Sequence, residues 1–308
     1  MMPSNKKQSI AILGGSGFIG KELIGFLAKQ NNYINVLTTN KINTRTLWTI
    51  PNVKIFQYQN NVESIKKAIE NTELVINLVG VLHSKPGNPW GREFDDAHVK
   101  LLKNLVDASN KEKVKKIIHI SALGVSKSAP SEYLRSKYAG ECILQSFGGQ
   151  IYLLRPSVVF GSGDSFLNLF AKLQRYSPIM PLAYTKAKFQ PIYVQDLIEI
   201  IWSCVQKNDG QKETIFECVG PEVFTLYEIV KFAGIYSGHK AMVIPLPKFL
   251  GWLQAFTLEK IPGKTLMSRD NLRSLTVPSV ASEKKNLVFN LTNPTSIHKV
   301  APNFLTKK

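Results

Sequence analysis

Short apolar runs and amphipathic stretches alternate through the first half of this chain. The runs Ser9–Leu13, Ile34–Thr38, Val53–Tyr58, Leu74–Leu78, Lys116–Ser121 and Gln150–Arg155 read as strands. Between them, Phe18–Lys29, Val62–Glu70, Asp95–Ser109 and Glu132–Ser146 carry apolar residues at helical spacing. Strand–helix alternation predicts an α/β fold, a doubly wound parallel sheet covered on both faces. Near-continuous apolar strands such as LVINLV and KIIHIS suit burial on both sides. The charge run Lys111–Lys116 reads as a solvated turn. Beyond Phe160 the pattern loosens. Gly161, Gly163, Pro178, Pro181 and Pro191 punctuate it, with helices expected over Phe166–Arg175, Val194–Gln206 and Thr225–Tyr236. The division expected is a nucleotide-binding Rossmann domain over 8–160 and a smaller mixed substrate-side or partner-docking region over 161–308. Parts of 189–220 are expected to return to the sheet.

Composition narrows the class. In 308 residues, 44% are hydrophobic, which excludes disordered and collagen-like architectures. Lys and Arg number 39 against 22 Asp and Glu, a net charge of +17 spread over both halves. Such a balance suits phosphate-bearing ligands, nucleic acid or an anionic surface without choosing among them. No aromatic–basic motif supports nucleic-acid binding. Three cysteines without a CxxC pair favour a reducing compartment over a disulfide framework. The histidines lack metal spacing, so no metal is expected. The N-terminal MMPSNKKQ has no signal-peptide core, and no run of about 18 apolar residues is present, so no transmembrane span is expected.

The first chemical signal is SIAILGGSGFIG at 9–20. Gly14, Gly17 and Gly20 form GxxGxxG between a strand and a helix. Small residues there permit a tight turn, close approach of backbone to a pyrophosphate, and close helix–sheet packing. The helix N-terminus offers free N–H groups and its positive dipole end to phosphates. A nicotinamide dinucleotide is the expected ligand. NAD sites usually carry an acid after the second strand, but no Asp or Glu lies between Glu22 and Glu63. Lys41 and Arg45 stand there instead, which favours NADP (NADPH) and leaves NAD possible.

The second signal is Tyr133 and Lys137, spaced to share one helical face. A phenol there can act as acid or base, with the ammonium lowering its pKa. The spacing alone means little: Tyr184/Lys188, Tyr227/Lys231 and Tyr236/Lys240 repeat it. Only Tyr133/Lys137 follows the strand KIIHIS and opens a helix beside the nucleotide half.

These stretches, with INLVG at 76–80, HISALG at 119–124, RPSVVFG at 155–161 and QPIYVQDL at 190–197, resemble the short-chain dehydrogenase/reductase superfamily, extended type. Within it, YLRSKYAGE, RPSVVFGSGDSFLNLFA and ECVGPEVFTLYEIV are most similar to the nucleotide-binding accessory-subunit branch of respiratory complex I and its bacterial relatives. The resemblance implies a cofactor on Gly14, Gly17 and Gly20, flanked by Ile12, Phe18, Ile19, Asn40, Val79 and Gly80. Lys137 would hold the nicotinamide ribose, Tyr133 would donate the proton in an active member, and Ser157 and Val158 would lie beside the nicotinamide. Two departures stand out. Active members carry Ser or Thr just beyond the strand end, where this chain has Ala122 and Leu123 after Ser121. Asn60 and Asn61 occupy the place where an Asp often meets adenine.

The resemblance therefore implies an NADPH-binding protein that serves assembly or stability of a respiratory or quinone-related membrane complex. It would be cytoplasmic or peripheral on the inner membrane. The alternative is an active NAD(P)-dependent reductase or nucleotide-sugar epimerase or dehydratase using Tyr133, Lys137 and Ser121. Near the C-terminus, Phe249, Leu250, Trp252, Leu253 and Phe256 cluster on one helical face beside Lys248, Lys260 and Lys264. Packing over the substrate cleft is favoured for this helix above docking to a membrane or partner. Arg269, Asp270 and Arg273 read as a surface ion cluster on a helix.

Overall fold

A computed structural model describes residues 7–261, 265–284 and 286–305; Lys264 lies outside them. Seven parallel strands form the main sheet: β1 (Ser9–Leu13), β2 (Tyr33–Thr38), β3 (Val53–Gln57), β4 (Leu74–Asn77), β5 (Lys116–Ile120), β6 (Gln150–Pro156) and β7 (Glu213–Cys218). Their spatial order is β7-β6-β5-β4-β1-β2-β3, so β7 returns late in the chain to extend the sheet beside β6. The order reverses between β1 and β4, which opens a crevice at their carboxyl ends.

Strand alternation divides the core. Ile10, Ile12, Ile34 and Val36 face α1 (Phe18–Lys29) and α6 (Val194–Gln206). Ala11, Leu13, Leu37 and Val75 face the opposite layer. That layer holds α2 (Val62–Ile69), a helical run α3, and α4 (Glu132–Leu144). The run α3 comprises Arg92–Phe94, a π-helical stretch Asp95–Lys100, and Leu101–Lys111. The sequence places its start at Asp95. The wider π turn is set by packing of His98 and Val99 and has no signature in local periodicity.

A third core gathers Phe160, Leu182, Ile229 and Ala301 from the later chain. Its elements are α5 (Leu167–Tyr176), α7 (Leu226–Ser237), α10 (Ile297–Leu305), and a parallel pair of strands, Ile179–Ala183 and Met242–Leu246. Between them in sequence lie α8 (Lys248–Leu258) and α9 (Arg269–Ser274). Local signals end these helices cleanly: α7 opens on a Thr225/Glu228 capping box and closes on Gly238 at φ 72°. Polar ties stitch the C-terminal segment to α6 and to the edge strand β7. Asp196 accepts from Thr295 N and Oγ1 at 2.7 and 2.8 Å, and Glu217 Oε2 accepts from Ser282 N at 2.7 Å.

One expectation fails at the start of β5. Lys116 is no solvated residue: it is 9% exposed, and its ammonium donates to the carbonyls of Cys204, Val205 and Lys207. The last turn of α6 leaves those acceptors without helical partners, and a cation there also meets the negative end of the dipole. Burial lowers the Lys116 pKa from its ordinary value.

Candidate functional site

The crevice beyond β1 and β4 begins with the glycine loop. Gly14 holds φ 79°, and a Cβ on it would stand 3.1 Å from Leu78 C and Val79 N. A Cβ on Gly20 would come within 2.5 Å of Gly15 Cα and 2.6 Å of the Gly14 carbonyl oxygen. Both positions therefore require glycine, one for conformation and contact, the other for helix–loop approach. Gly17 caps α1 without any side-chain acceptor, and no acid sits in the first turn. Phe18 and Ile19, the first residues of α1, pack their side chains on the core below.

Beside this loop, a cleft of about 450 Å³ is lined by Ser16, Lys21, Ile42, Asn43, Arg45 and Thr46. Its far wall is the 3₁₀ helix Lys41–Leu47, capped by Asn40, whose Oδ1 accepts from Ile42 N at 2.9 Å. Arg45 lines this cleft, whereas Lys41 lines a neighbouring hollow with Gln57 and Lys67. Ser16 and Lys21 escape sequence reasoning, because a Lys one turn into an amphipathic helix looks like any solvated face. These residues fit a dinucleotide: a glycine cradle, an uncapped helix N-terminus and two cations with no acid beside the ribose position.

Asn60 and Ser157 are held by the protein itself. The Asn60 amide donates to Asp96 O at 3.1 Å and accepts from Asn104 Nδ2 at 3.0 Å, which ties the end of β3 to α3. Ser157 Oγ bonds Ser279 O at 2.7 Å and accepts from Gln190 N at 3.2 Å. Val79 N donates to Asn77 Oδ1 at 3.1 Å, and a Cβ added to Gly80 would stand 3.5 Å from Lys137 Nζ.

The other wall of the crevice is α4. Lys137 is buried, and its Nζ donates to Ile120 O at 2.8 Å at the end of β5. Burial lowers its pKa to about 8, while Glu141 one turn on favours the charged form. Glu141 is itself gripped by Arg155 Nε and Nη2 at 3.0 and 2.6 Å. Desolvation beside Phe94 and His98 raises the Tyr133 phenol to about 12.

His98, unremarked in the sequence, ties both walls together. Its Nε2 accepts from Val81 N at 3.2 Å, so Nδ1 carries the proton toward Ser136 Oγ at 2.8 Å, and Ser136 donates to Tyr133 O at 2.9 Å. Burial, with Lys137 nearby, pushes the His98 pKa to about 2 and keeps it neutral, as this chain of bonds requires. His119 pairs with Asn77 at 3.1 Å through Nδ1, and its buried Nε2 lacks a partner. Ser121 Oγ is likewise buried without one. Both residues flank Ile120 at the end of β5, whose carbonyl accepts from Lys137.

Asp270 has a different place from the one its sequence context suggests. Expected in a surface cluster, it is 9% exposed, and its carboxylate accepts from Glu132 N at 2.7 Å and Tyr133 N at 3.0 Å. Ser131 Oγ accepts from Leu134 N at 3.2 Å. The first turn of α4 is thereby fully capped, whereas α1 is left open. Glu132 in turn accepts from Gly87 N and Gly91 N, anchoring the loop above the crevice. No local pattern links Asp270 to a helix 137 residues earlier.

A doubly wound sheet, a glycine cradle at its switch point, and a half-buried Tyr133 with a buried Lys137 on the helix across the crevice define a Rossmann dinucleotide-binding protein. Residues 10–218 match the NAD dependent epimerase/dehydratase family, and the chain belongs to it. It is 27% identical over 250 residues to the mitochondrial NADH dehydrogenase [ubiquinone] 1 alpha subcomplex subunit 9 of Mus musculus, covering 79% of this chain and 65% of that protein. The chain thus spans just under two thirds of that relative's length. A ceramide reductase of Caulobacter vibrioides is 23% identical, over 80% of this chain and 76% of its own. Among solved structures, a UDP-glucuronic acid 4-epimerase from Bacillus cereus superposes with a TM-score of 0.66 at 19% identity, covering 91% and 96% of the two chains, a likeness of fold. Among the described residues no helix is long and apolar enough to cross a membrane.

Proposed function

We propose that this protein binds NADPH chiefly as a structural ligand and serves the assembly or stability of a membrane-bound respiratory complex, working at the inner-membrane periphery. The observation that carries this reading is the contrast between an intact cradle, where neither Gly14 nor Gly20 has room for a Cβ, and Ala122 and Leu123 standing where active members carry Ser or Thr. The likeness to an NADH dehydrogenase subunit supports the same direction. Gly14, Gly17 and Gly20 would seat the pyrophosphate on α1, Arg45 and Lys21 would meet a 2′-phosphate, and Lys137 would hold the nicotinamide ribose. A ligand bound only by the folded chain stabilises it by about 2.7 kcal/mol at a hundredfold excess over its Kd. Such a nucleotide clamps the glycine loop to α4 without turnover.

Titration of nucleotide-free protein with NADPH and then NADH tests the reading. Tight NADPH binding, weak NADH binding, and loss of the difference in Arg45→Glu are expected; equal or absent binding of both overturns it. A second reading, an active reductase or epimerase, is favoured by Ser121 Oγ, buried beside Lys137 with no partner. There a bound nicotinamide would provide the hydride chemistry, with Ser121 placed to steady the substrate oxygen and Tyr133 to move its proton. Tyr133→Phe separates the two: turnover collapses under the second reading, whereas nucleotide-linked stability persists under the first.

A further inference from the structure

The later core turns an apolar face outward. In the paired strands Ile179–Ala183 and Met242–Leu246, Met180 and Leu182 enter the core, while the alternate residues face away from it. The register sets Met242 beside Ile179, Ile244 beside Pro181 and Leu246 beside Ala183 on that outer face. Helix α8 crosses one end of it: Gly251 packs so closely on Ala183 that an added Cβ would come within 2.3 Å of the alanine Cβ. The helix buries only Gly251 and Ala255. Phe249 remains 70% exposed and Leu253 58%, and the open end of the sheet leaves Met242 64% and Ile179 47% exposed. The expectation that α8 covers the cleft with its apolar residues therefore fails, because the small residues do the packing and the large ones stand in solvent.

The two stretches of chain that contain the strands of this face and α8, 165–195 and 229–258, carry no Asp or Glu. The first carries Lys172, Arg175, Lys186 and Lys188, and the second Lys231, Lys240 and Lys248, all exposed. Lys260 lies over the Phe256 ring at 4.1 Å, and its neighbour Glu259 is taken by Arg269 at 2.9 Å.

We infer that this face, α8 with the outer side of the Ile179–Ala183 and Met242–Leu246 strands, docks on the surface of an anionic lipid bilayer. Large apolar side chains on a short helix suit shallow entry into the headgroup–acyl boundary, and an excess of exposed cations, with the nearby Glu259 already paired to Arg269, suits anionic headgroups. A protein partner would be expected to present acids at fixed positions, whereas lysines spread over several elements match a diffuse anionic surface. The inference extends the reading above from a membrane complex to the lipid itself. It can be tested apart from that reading, since vesicle binding is measurable with or without NADPH.

The test is co-sedimentation of the full chain with phosphatidylcholine vesicles and with vesicles containing roughly a third phosphatidylglycerol. Binding to the anionic vesicles only, weakening as salt rises from about 0.1 to about 0.5 M, is expected. Phe249→Ser with Leu253→Ser should weaken it at least about tenfold without lowering the Tm, because both side chains are already in solvent. Lys186→Gln with Lys188→Gln should weaken it less and flatten its salt dependence. Absence of binding to either vesicle overturns the inference, as does undiminished binding of the Phe249/Leu253 double variant. Binding to native membranes that protein-free anionic vesicles do not reproduce also overturns it, in favour of a protein partner.

Discussion

Replacing Asp270 by Ala removes the carboxylate that accepts from Glu132 N and Tyr133 N at 2.7 and 3.0 Å. Both donors belong to the first turn of α4, where no helical carbonyl can replace the lost acceptor. A hydrogen bond to a charged group contributes about 1.5–3 kcal/mol, and a helix cap about 0.5–2 kcal/mol. The two bonds share one carboxylate and are not independent, so a loss of about 2–4 kcal/mol is expected rather than their full sum. Asp270→Asn keeps one acceptor oxygen and should lose about half as much. Arg273 is a control: its Nη1 lies 3.8 Å from Glu132 and 3.9 Å from Asp270 with 40% side-chain exposure. Arg273→Ala should therefore cost less than about 1 kcal/mol. Urea unfolding measures all three, with the slope unchanged if the unfolded state is unaffected. Because α4 also carries Lys137, dinucleotide affinity should fall in the order wild type, Asn, Ala. An Asp270→Ala protein within about 0.5 kcal/mol of wild type would refute the capping argument.

Lys116→Met should destabilise the fold by about 2–4 kcal/mol, because three carbonyls at the end of α6 lose their donor inside the protein; a surface-like change under about 0.5 kcal/mol would contradict the burial of its ammonium. Gly20→Ala should abolish dinucleotide binding, since its Cβ would meet the backbone of Gly14 and Gly15, and calorimetric titration reads this directly. For Lys137 the folded pKa is lowered, from 10.5 to about 8, so between these values the unfolded chain binds more protons and stability rises with pH. Denaturation profiles across that window should lose this upward component in Lys137→Met, and a profile identical to wild type would count against the buried ammonium.

Much of the nucleotide half was legible because its signals are local. The bounds of β1, α1 and α6 follow directly from β-branched runs, glycine placement and apolar periodicity, and the glycine loop could be assigned from Gly14, Gly17 and Gly20 in their strand–helix setting. Selecting Tyr133 and Lys137 from four equivalent pairs needed their position after β5, which the pattern also supplied. What stayed hidden depends on contacts between distant parts of the chain. His98 looks like any core histidine until the π turn aims it at Val81 N and Ser136.

The sequence by itself determined the element order, the parallel sheet and the dinucleotide cradle, since these rest on spacing within a few residues and on conformations open only to glycine. Tertiary structure alone decided that Lys116 caps a helix 88 residues away, that Asp270 caps α4, that Tyr133 is raised by burial, and that the large side chains of α8 stand in solvent. Each of these depends on which group fills an unsatisfied helix end or loses its water, and that is set by packing across the fold.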